Sequence, residues 1–288
     1  MKVVLFCGGH GMRMREYSDV IPKPMVQIGY RPILWHLMKY YAHYGHKEFI
    51  LCLGYRGDAI KNYFLNYDEC VSNDFVLSEG GRNVQLISKD IDDWKITFVD
   101  TGLHSNVGTR LMKVRKYVQN DEMFLANYAD GLTDLPLPVL ESYFRSQRKT
   151  ACFLGVKPLT SFHVISMGQD GLVTDVQSTA GTAGRINGGF FILRPEIFDH
   201  MKEGEELVEQ PFQRLIRRRE LMAYSYDGFW ACMDTFKEKQ HLDDLHARGI
   251  APWDVWSRAA ETETEFGTHA AAQVSTVEQG SLSRSPLG

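Results

Sequence analysis

The stretch VVLFCGGHGMRMREYSDVIPKPM, residues 3–25, decides how the chain is read. Five apolar residues, Val3 to Cys7, run straight into Gly8, Gly9 and Gly11, which is the pattern of a buried strand breaking into a loop of unusual backbone angles. In an α/β protein that is where an anion is held, because glycine backbone N–H groups can cradle phosphate oxygens. Two common phosphate loops fail residue by residue. G-x-G-x-x-G started at Gly9 and Gly11 finds Met14 at its third glycine, and a P-loop counted from Gly8 or Gly9 finds Arg13 or Met14 at its second. What remains is G-G-x-G-x-R, with Pro22-Lys23-Pro24 behind it, so that Arg13 and Lys23 supply the positive charge.

Outward from this loop, strand-like runs at Val3–Cys7, Phe49–Leu53, Ile96–Asp100 and Met123–Asp130 alternate with helical patterns around Pro32–Tyr44, Asp58–Leu65, Thr109–Gln119 and Pro136–Gln147. The alternation predicts an α/β fold, a Rossmann-like and mainly parallel sheet flanked by helices. In the first helix Pro32 suits the first turn, Ile33, Leu34, Leu37, Met38 and Tyr41 make the apolar stripe, and Gly45 stops it. Such a fold places its ligands at the carboxyl ends of the strands, where Gly8–Arg13 and Asp130 both fall. Beyond Thr150 the pattern changes. Ala151–Val156, His163–Met167 and Gly171–Val176 read as strands joined by short turns, a small mixed or antiparallel β extension over the open side. Helix and strand signals return through Asn187–Leu193, Pro211–Arg219, Leu221–Asp234 and Phe236–Arg248. From about Ser257 the composition turns small and polar, so one domain is expected over 1–256 and a disordered tail over 257–288.

The 288 residues are 44% hydrophobic, enough for one sizeable core. With 32 basic against 36 acidic residues and no basic run, the chain lacks the positive face that nucleic-acid binding needs. No apolar run reaches the roughly 20 residues of a membrane span, and the start has no signal-peptide pattern. A cytoplasmic protein is expected. The five cysteines are scattered without a C-x-x-C pair, and Cys7, Cys52 and Cys152 sit in apolar runs as small hydrophobes. His36, His43 and His46 are spread over a helix and its end, which favours packing or surface roles over metal binding.

The segments GGHGMR, PKPM, GYRPILWHLMKYY, FVDTG, YADG, INGGFFIL and FWACMDTFKEKQ, in that order from Met1 to about Trp256, resemble the sugar-1-phosphate nucleotidyltransferases, and among them the glucose-1-phosphate cytidylyltransferases. The resemblance implies the nucleotide-diphospho-sugar transferase type of fold. It also implies transfer of a nucleoside monophosphate from a triphosphate to a sugar phosphate with release of pyrophosphate. On this resemblance Gly8, Gly9, Gly11, Met12, Arg13 and Lys23 hold the triphosphate, with Arg13 and Lys23 as the catalytic cations. Gly108 and Arg110 match a loop near the nucleotide. Asp130 and Asp234 match metal-binding aspartates, with Asp100 a weaker candidate. CTP is the implied triphosphate, although relatives with the same glycine loop use dTTP or UTP, and a homo-oligomer is implied as well.

The chemistry asks for the same parts. One anion attacks another, so charge must be neutralised and the reactants aligned. Mg²⁺, which takes one or two carboxylates together with phosphate oxygens, fits that need.

Two departures fall in the expected site. Met12 replaces the family's threonine before the arginine. Where cytidylyltransferases carry Glu-Lys-Pro ahead of Asn-Gly-Gly, this chain has Gln177-Ser178-Thr179, and Ser161-Phe162-His163 replaces an Arg-Phe-Gly segment. The acceptor side is therefore assigned to Gln177, Asn187 and Gly188, with Arg185 as the replacement cation if residues 178–184 fold inward. A non-catalytic nucleotide binder with a regulatory or assembly role is the alternative.

Overall fold

The computed structural model describes residues 1–9, 21–87, 90–158, 163–167, 169–178 and 184–258. Among these the strands are β1 (Lys2–Phe6), β2 (Gln27–Ile28), β3 (Arg31–Pro32), β4 (Glu48–Leu53), β5 (Phe75–Ser78), β6 (Asn83–Leu86), β7 (Lys95–Asp100), β8 (Phe124–Asn127), β9 (Gly131–Thr133), β10 (Ala151–Val156), β11 (His163–Met167), β12 (Val173–Ser178), β13 (Ile186–Leu193), β14 (Leu221–Tyr226) and β15 (Trp230–Cys232). The helices are α1 (Ile33–His43), α2 (Gly57–Leu65), α3 (Glu69–Ser72), α4 (Val107–Val118), α5 (Leu137–Gln147), α6 (Gln210–Arg218) and α7 (Phe236–Ala247). Met1–Trp253 forms one unit; the second, Asp254–Gly288, is described only to residue 258. The expected tail from Ser257 thus falls almost wholly outside the described residues.

Seven strands make the main sheet in the order β14-β10-β13-β8-β1-β4-β7. β1 is parallel to both β4 and β8, and its Val3, Val4, Leu5 and Phe6 are buried, because a central strand of a parallel sheet is covered on both faces. The chain steps outward from β1 to β4 and β7, then crosses over through α4 to β8 on the other side of β1. That reversal opens a crevice beyond the carboxyl ends of β1 and β8.

Val4 and Phe6 pack towards Leu111, Val114 and Val118 of α4. The opposite face takes α1, whose predicted stripe is buried along with Trp35, His36, Tyr40 and Ala42. Gly45 ends that helix at φ +84°, its N–H donating to the Ala42 carbonyl.

The expected β extension divides. β10 belongs to the main sheet, antiparallel to β13 and parallel to β14, while β11 and β12 form a separate hairpin. The run expected over Met123–Asp130 also breaks, because Ala129 takes φ +65° and sends the chain into β9. The β5–β6 hairpin was not anticipated.

Candidate functional site

Behind the glycine loop, Lys23–Met25 form one 3₁₀ turn with Pro24 buried. The turn sets Lys23 so that its Nζ donates to Asp130 Oδ2 at 2.6 Å and to Asp234 Oδ1. Three residues separated by 107 and 211 positions along the chain thus meet at one point.

The two aspartates are brought together by a small ladder. β9 pairs antiparallel with β15, Cys232 opposite Gly131, and the Met233 N–H continues the ladder onto the Asp130 carbonyl at 2.9 Å. Asp234 is fixed from its other side by α7. Thr235 and Glu238 form a reciprocal capping box, and Glu238 Oε2 also accepts from the Asp234 N–H at 2.8 Å. Asp130 is fixed by Ala129, whose N–H donates to Asn127 Oδ1 at 3.0 Å in its left-handed conformation. Strain of this kind persists where the surroundings over-determine it.

Electrostatics follow from partial burial. Desolvation pushes the Asp130 carboxyl above its ordinary value, against the pull of Lys23 and together with the repulsion of Asp234. Burial works against the Lys23 ammonium, but Asp130 and Asp234 outweigh it and hold its pKa above the usual lysine value. Lys23 is therefore a fixed cation at neutral pH.

At the head of the site, Gly8 is buried and Gly9 exposed. Arg110, 3% exposed, inserts beneath Gly8: Nη2 donates to the Gly8 carbonyl at 2.8 Å, and Nη1 to Thr101 Oγ1 at 2.6 Å, Gly102 O at 3.0 Å and Leu53 O at 3.1 Å. A Cβ on Gly8 would lie 2.3 Å from Arg110 Cζ, and one on Gly54 2.8 Å from Nη1. Both glycines are thus required by close approach of the guanidinium. Arg110, expected in a loop near the nucleotide, has protein acceptors on both terminal nitrogens in this geometry. Gly108 lies under the Glu205 carbonyl, 2.1 Å from the position of a Cβ, which is helix packing rather than an open loop.

Among the residues expected to face the acceptor, Asn187 Nδ2 donates to the Tyr128 hydroxyl at 3.1 Å and Asn187 Oδ1 accepts from the Gly189 N–H at 2.9 Å. The Gly188 carbonyl accepts the Trp230 indole N–H at 2.8 Å. The start of β13 therefore runs beside the Tyr128–Gly131 segment. Arg185 is engaged elsewhere, with Nη1 on the Tyr226 carbonyl at 2.8 Å and Nη2 on both Asp227 oxygens at 3.0 and 3.1 Å. The Gln177 backbone pairs with Val164 in the β11–β12 hairpin. Gly11, Met12 and Arg13, the segment Ser161-Phe162, and Thr179 to Ala183 of the loop before Arg185 lie outside the described residues.

Asp100 Oδ1 accepts the Gly102 N–H at 2.9 Å, the turn role its position allows. His36 is buried, bonded to the Ile28 carbonyl, and pushed down to about 4 by desolvation, so it packs as a neutral ring. Cys7, Cys52 and Cys152 are buried, and burial raises their thiol pKa values.

Sequence reasoning overlooked Gly54, Ala129, Trp230 and Glu238. Only Glu238 carried a readable signal, the Thr235-x-x-Glu238 capping spacing.

No protein-family model matches the chain. A glucose-1-phosphate cytidylyltransferase of Salmonella typhi is 40% identical over 258 residues, covering 89% of this chain and 100% of the relative. One from Salmonella typhimurium is 38% identical over 257 residues with the same coverage. A mannose-1-phosphate guanyltransferase of Yarrowia lipolytica is 24% identical over 255 residues, 84% of this chain and 62% of that protein. Among solved structures, a UDP-glucose pyrophosphorylase complexed with UDP-glucose superposes with a TM-score of 0.62 over 86% of this chain and 98% of that one, at 16% identity, a likeness of fold.

Proposed function

The chain belongs to the glucose-1-phosphate cytidylyltransferase family, and from that premise we propose that it transfers CMP from CTP to a sugar 1-phosphate, releasing pyrophosphate. The observation that carries this reading is the convergence of Lys23, Asp130 and Asp234 at the crevice where Gly8 and Gly9 end the first strand.

The residues fit a divalent cation. Asp130 and Asp234 turn hard carboxylate oxygens towards one point, and Mg²⁺ takes one or two such ligands while phosphate oxygens complete its shell. When bound there, Mg²⁺ would screen the charge of the triphosphate. Lys23, released from one carboxylate, would donate to a phosphate oxygen as negative charge builds around the α-phosphorus. Its raised pKa keeps it protonated for that role. A sugar phosphate is already ionised at neutral pH, so its oxygen attacks in line and no side chain has to act as general base. Arg110 contributes by holding the Gly8 carbonyl, which orients the first peptide of the loop. Asn187 and Gly188 stand beside Tyr128 as the wall facing the acceptor. Arg13, with Gly11 and Met12, is assigned to the triphosphate on the family pattern.

Among the described residues no helix is long and apolar enough to cross a membrane. A cytoplasmic location and a homo-oligomer are part of the proposal.

The test is pyrophosphate release with Mg²⁺, CTP and glucose 1-phosphate, compared with dTTP, UTP, ATP and GTP and with other sugar 1-phosphates. Turnover with CTP is expected. Silence across the panel with CTP still bound would replace this reading by that of a nucleotide-binding homologue without transferase activity.

A further inference from the structure

Beyond the carboxyl end of β10 the described residues hold a charge cluster that the chemistry above leaves unused. Val156 of β10 pairs with Tyr226 of β14 and with Ile186 of β13, and the next residue outward on each strand is Lys157, Asp227 and Arg185. Lys157 Nζ lies 2.8 Å from Asp227 Oδ1, and Arg185 Nη2 lies 3.0 Å from the same oxygen. Two cations share one carboxylate, so the group carries excess positive charge, and the side chains of Lys157 and Asp227 are 66% and 60% exposed.

The cluster lies close to the candidate site along the sheet. Asn187, two residues past Arg185, bonds Tyr128, and Gly188 bonds Trp230, which pairs within the ladder that begins directly after Asp130. The Arg185 and Asn187 backbones are two strand residues, roughly 7 Å, apart, and from there the Arg185 guanidinium reaches across β10 to the Gly155 and Tyr226 carbonyls. The Arg185 guanidinium is also pre-placed. Nη1 is pinned on the Tyr226 and Gly155 carbonyls, leaving Nη2 as the face turned to the exchangeable anion. Where the family carries a Glu-Lys pair ahead of Asn-Gly-Gly, this chain has Gln177-Ser178, so the family's acceptor-side cation is not at that position in the sequence.

We propose that Lys157 and Arg185 form the anion-recognition element for the phosphorylated sugar acceptor, and that Asp227 is a resident counter-ion which the acceptor displaces from Arg185. This rests on the transferase reading above. A phosphate oxygen meets Nη2 as the carboxylate does now, and Asp227 remains on Lys157. The contact helps bind the acceptor in the ground state and in the transition state alike, so its effect falls on KM for the acceptor and not on kcat.

The experiment compares the parent with the double variant Lys157→Ala/Arg185→Ala and with Asp227→Asn. It reads KM for glucose 1-phosphate and for CTP by pyrophosphate release, and binding of glucose 1-phosphate alone by calorimetry. The double variant is expected to raise the acceptor KM about tenfold, the worth of one charge-assisted hydrogen bond, with the KM for CTP unchanged. Asp227→Asn is expected to lower the acceptor KM, an outcome that a purely structural ion pair does not produce. An acceptor KM within twofold of the parent in the double variant, or a raised KM in Asp227→Asn, overturns the proposal. If the parent itself releases no pyrophosphate with CTP, the transferase reading fails separately. Calorimetry then decides the cluster, and equal heats in parent and double variant, zero included, overturn it.

Discussion

Lys23 Nζ meets Asp130 Oδ2 at 2.6 Å, with Asp234 as its second carboxylate partner. Removing the ammonium by Lys23→Met leaves two carboxylates facing each other without a cation. The variant should lose turnover and roughly 2 kcal/mol of stability, the low end for an ion pair broken while partly exposed. The pH dependence has a definite sign. Burial and Asp234 both raise the Asp130 pKa, and Lys23 is the main influence opposing them, with a smaller contribution from a backbone hydrogen bond. In the variant the folded state therefore binds a proton more tightly than the unfolded chain, and stability is lost as pH rises through the folded pKa. The stability lysine gains from its partners in the parent is complete below its ordinary value and is lost only as pH rises through the still higher folded one. Thermal unfolding should thus show a larger deficit of Lys23→Met against the parent at pH 8 than at pH 5. An equal deficit at both would contradict the assigned coupling.

Adjacent glycines should respond differently. Gly8→Ala places a methyl 2.3 Å from Arg110 Cζ, and should cost about 2–3 kcal/mol through overpacking. Gly9→Ala meets nothing within 4 Å among the described residues, so its melting temperature should stay with the parent's while CTP affinity falls. Calorimetric titration with CTP beside a melting curve checks both, and unaltered CTP binding in Gly9→Ala would remove that residue from the triphosphate site.

Ala129 spends its conformational freedom on Asp130. Ala129→Gly should keep stability within about 1 kcal/mol, relief of left-handed strain offsetting the entropy of glycine. Turnover should fall several-fold with the KM for CTP unchanged, because the aspartate is less firmly aimed. Ala129→Val should cost more than about 2 kcal/mol, a β-branched residue being least tolerant of positive φ. Steady-state kinetics of Ala129→Gly equal to the parent's would show that the strain has no bearing on the reaction.

Chelation should abolish pyrophosphate release and Mg²⁺ should restore it. Asp130→Asn and Asp234→Asn should each lower turnover roughly 100-fold or more and weaken Mn²⁺ binding followed by electron paramagnetic resonance. Full activity in excess chelator would remove the two aspartates from a metal role.

Much of the fold was legible because its core strands are buried on both faces. Val3–Cys7, Phe49–Leu53 and Ala151–Val156 are continuous apolar runs, and each lies within a residue or two of an observed strand. The β5–β6 hairpin escaped notice because Val76, Leu77 and Val84 are exposed, so no buried face imposes an alternation. In the site, Lys23 was legible as a charge behind the glycine loop and Asp130 as a strand-end carboxylate, while Asp234 came from the family's order of motifs, and no local periodicity places residues so distant at one point. Arg110 shows the opposite difficulty. The family loop places it near the nucleotide, and its acceptors are Thr101 Oγ1 and backbone carbonyls of three separate strand ends, which only the packed sheet assembles. Arg185 likewise finds its carboxylate on β14's outgoing turn, a register that sequence spacing does not disclose.

The two site aspartates hang on the β9–β15 ladder, which is separate from the seven-stranded sheet. Their spacing is set by three residue pairs and one capping box, tied to the main sheet at Asn127 of β8 and Gly188 of β13. Among these contacts, the gap between the two carboxylates is thus joined to the scaffold at two strand ends only, the last residue of β8 and the start of β13.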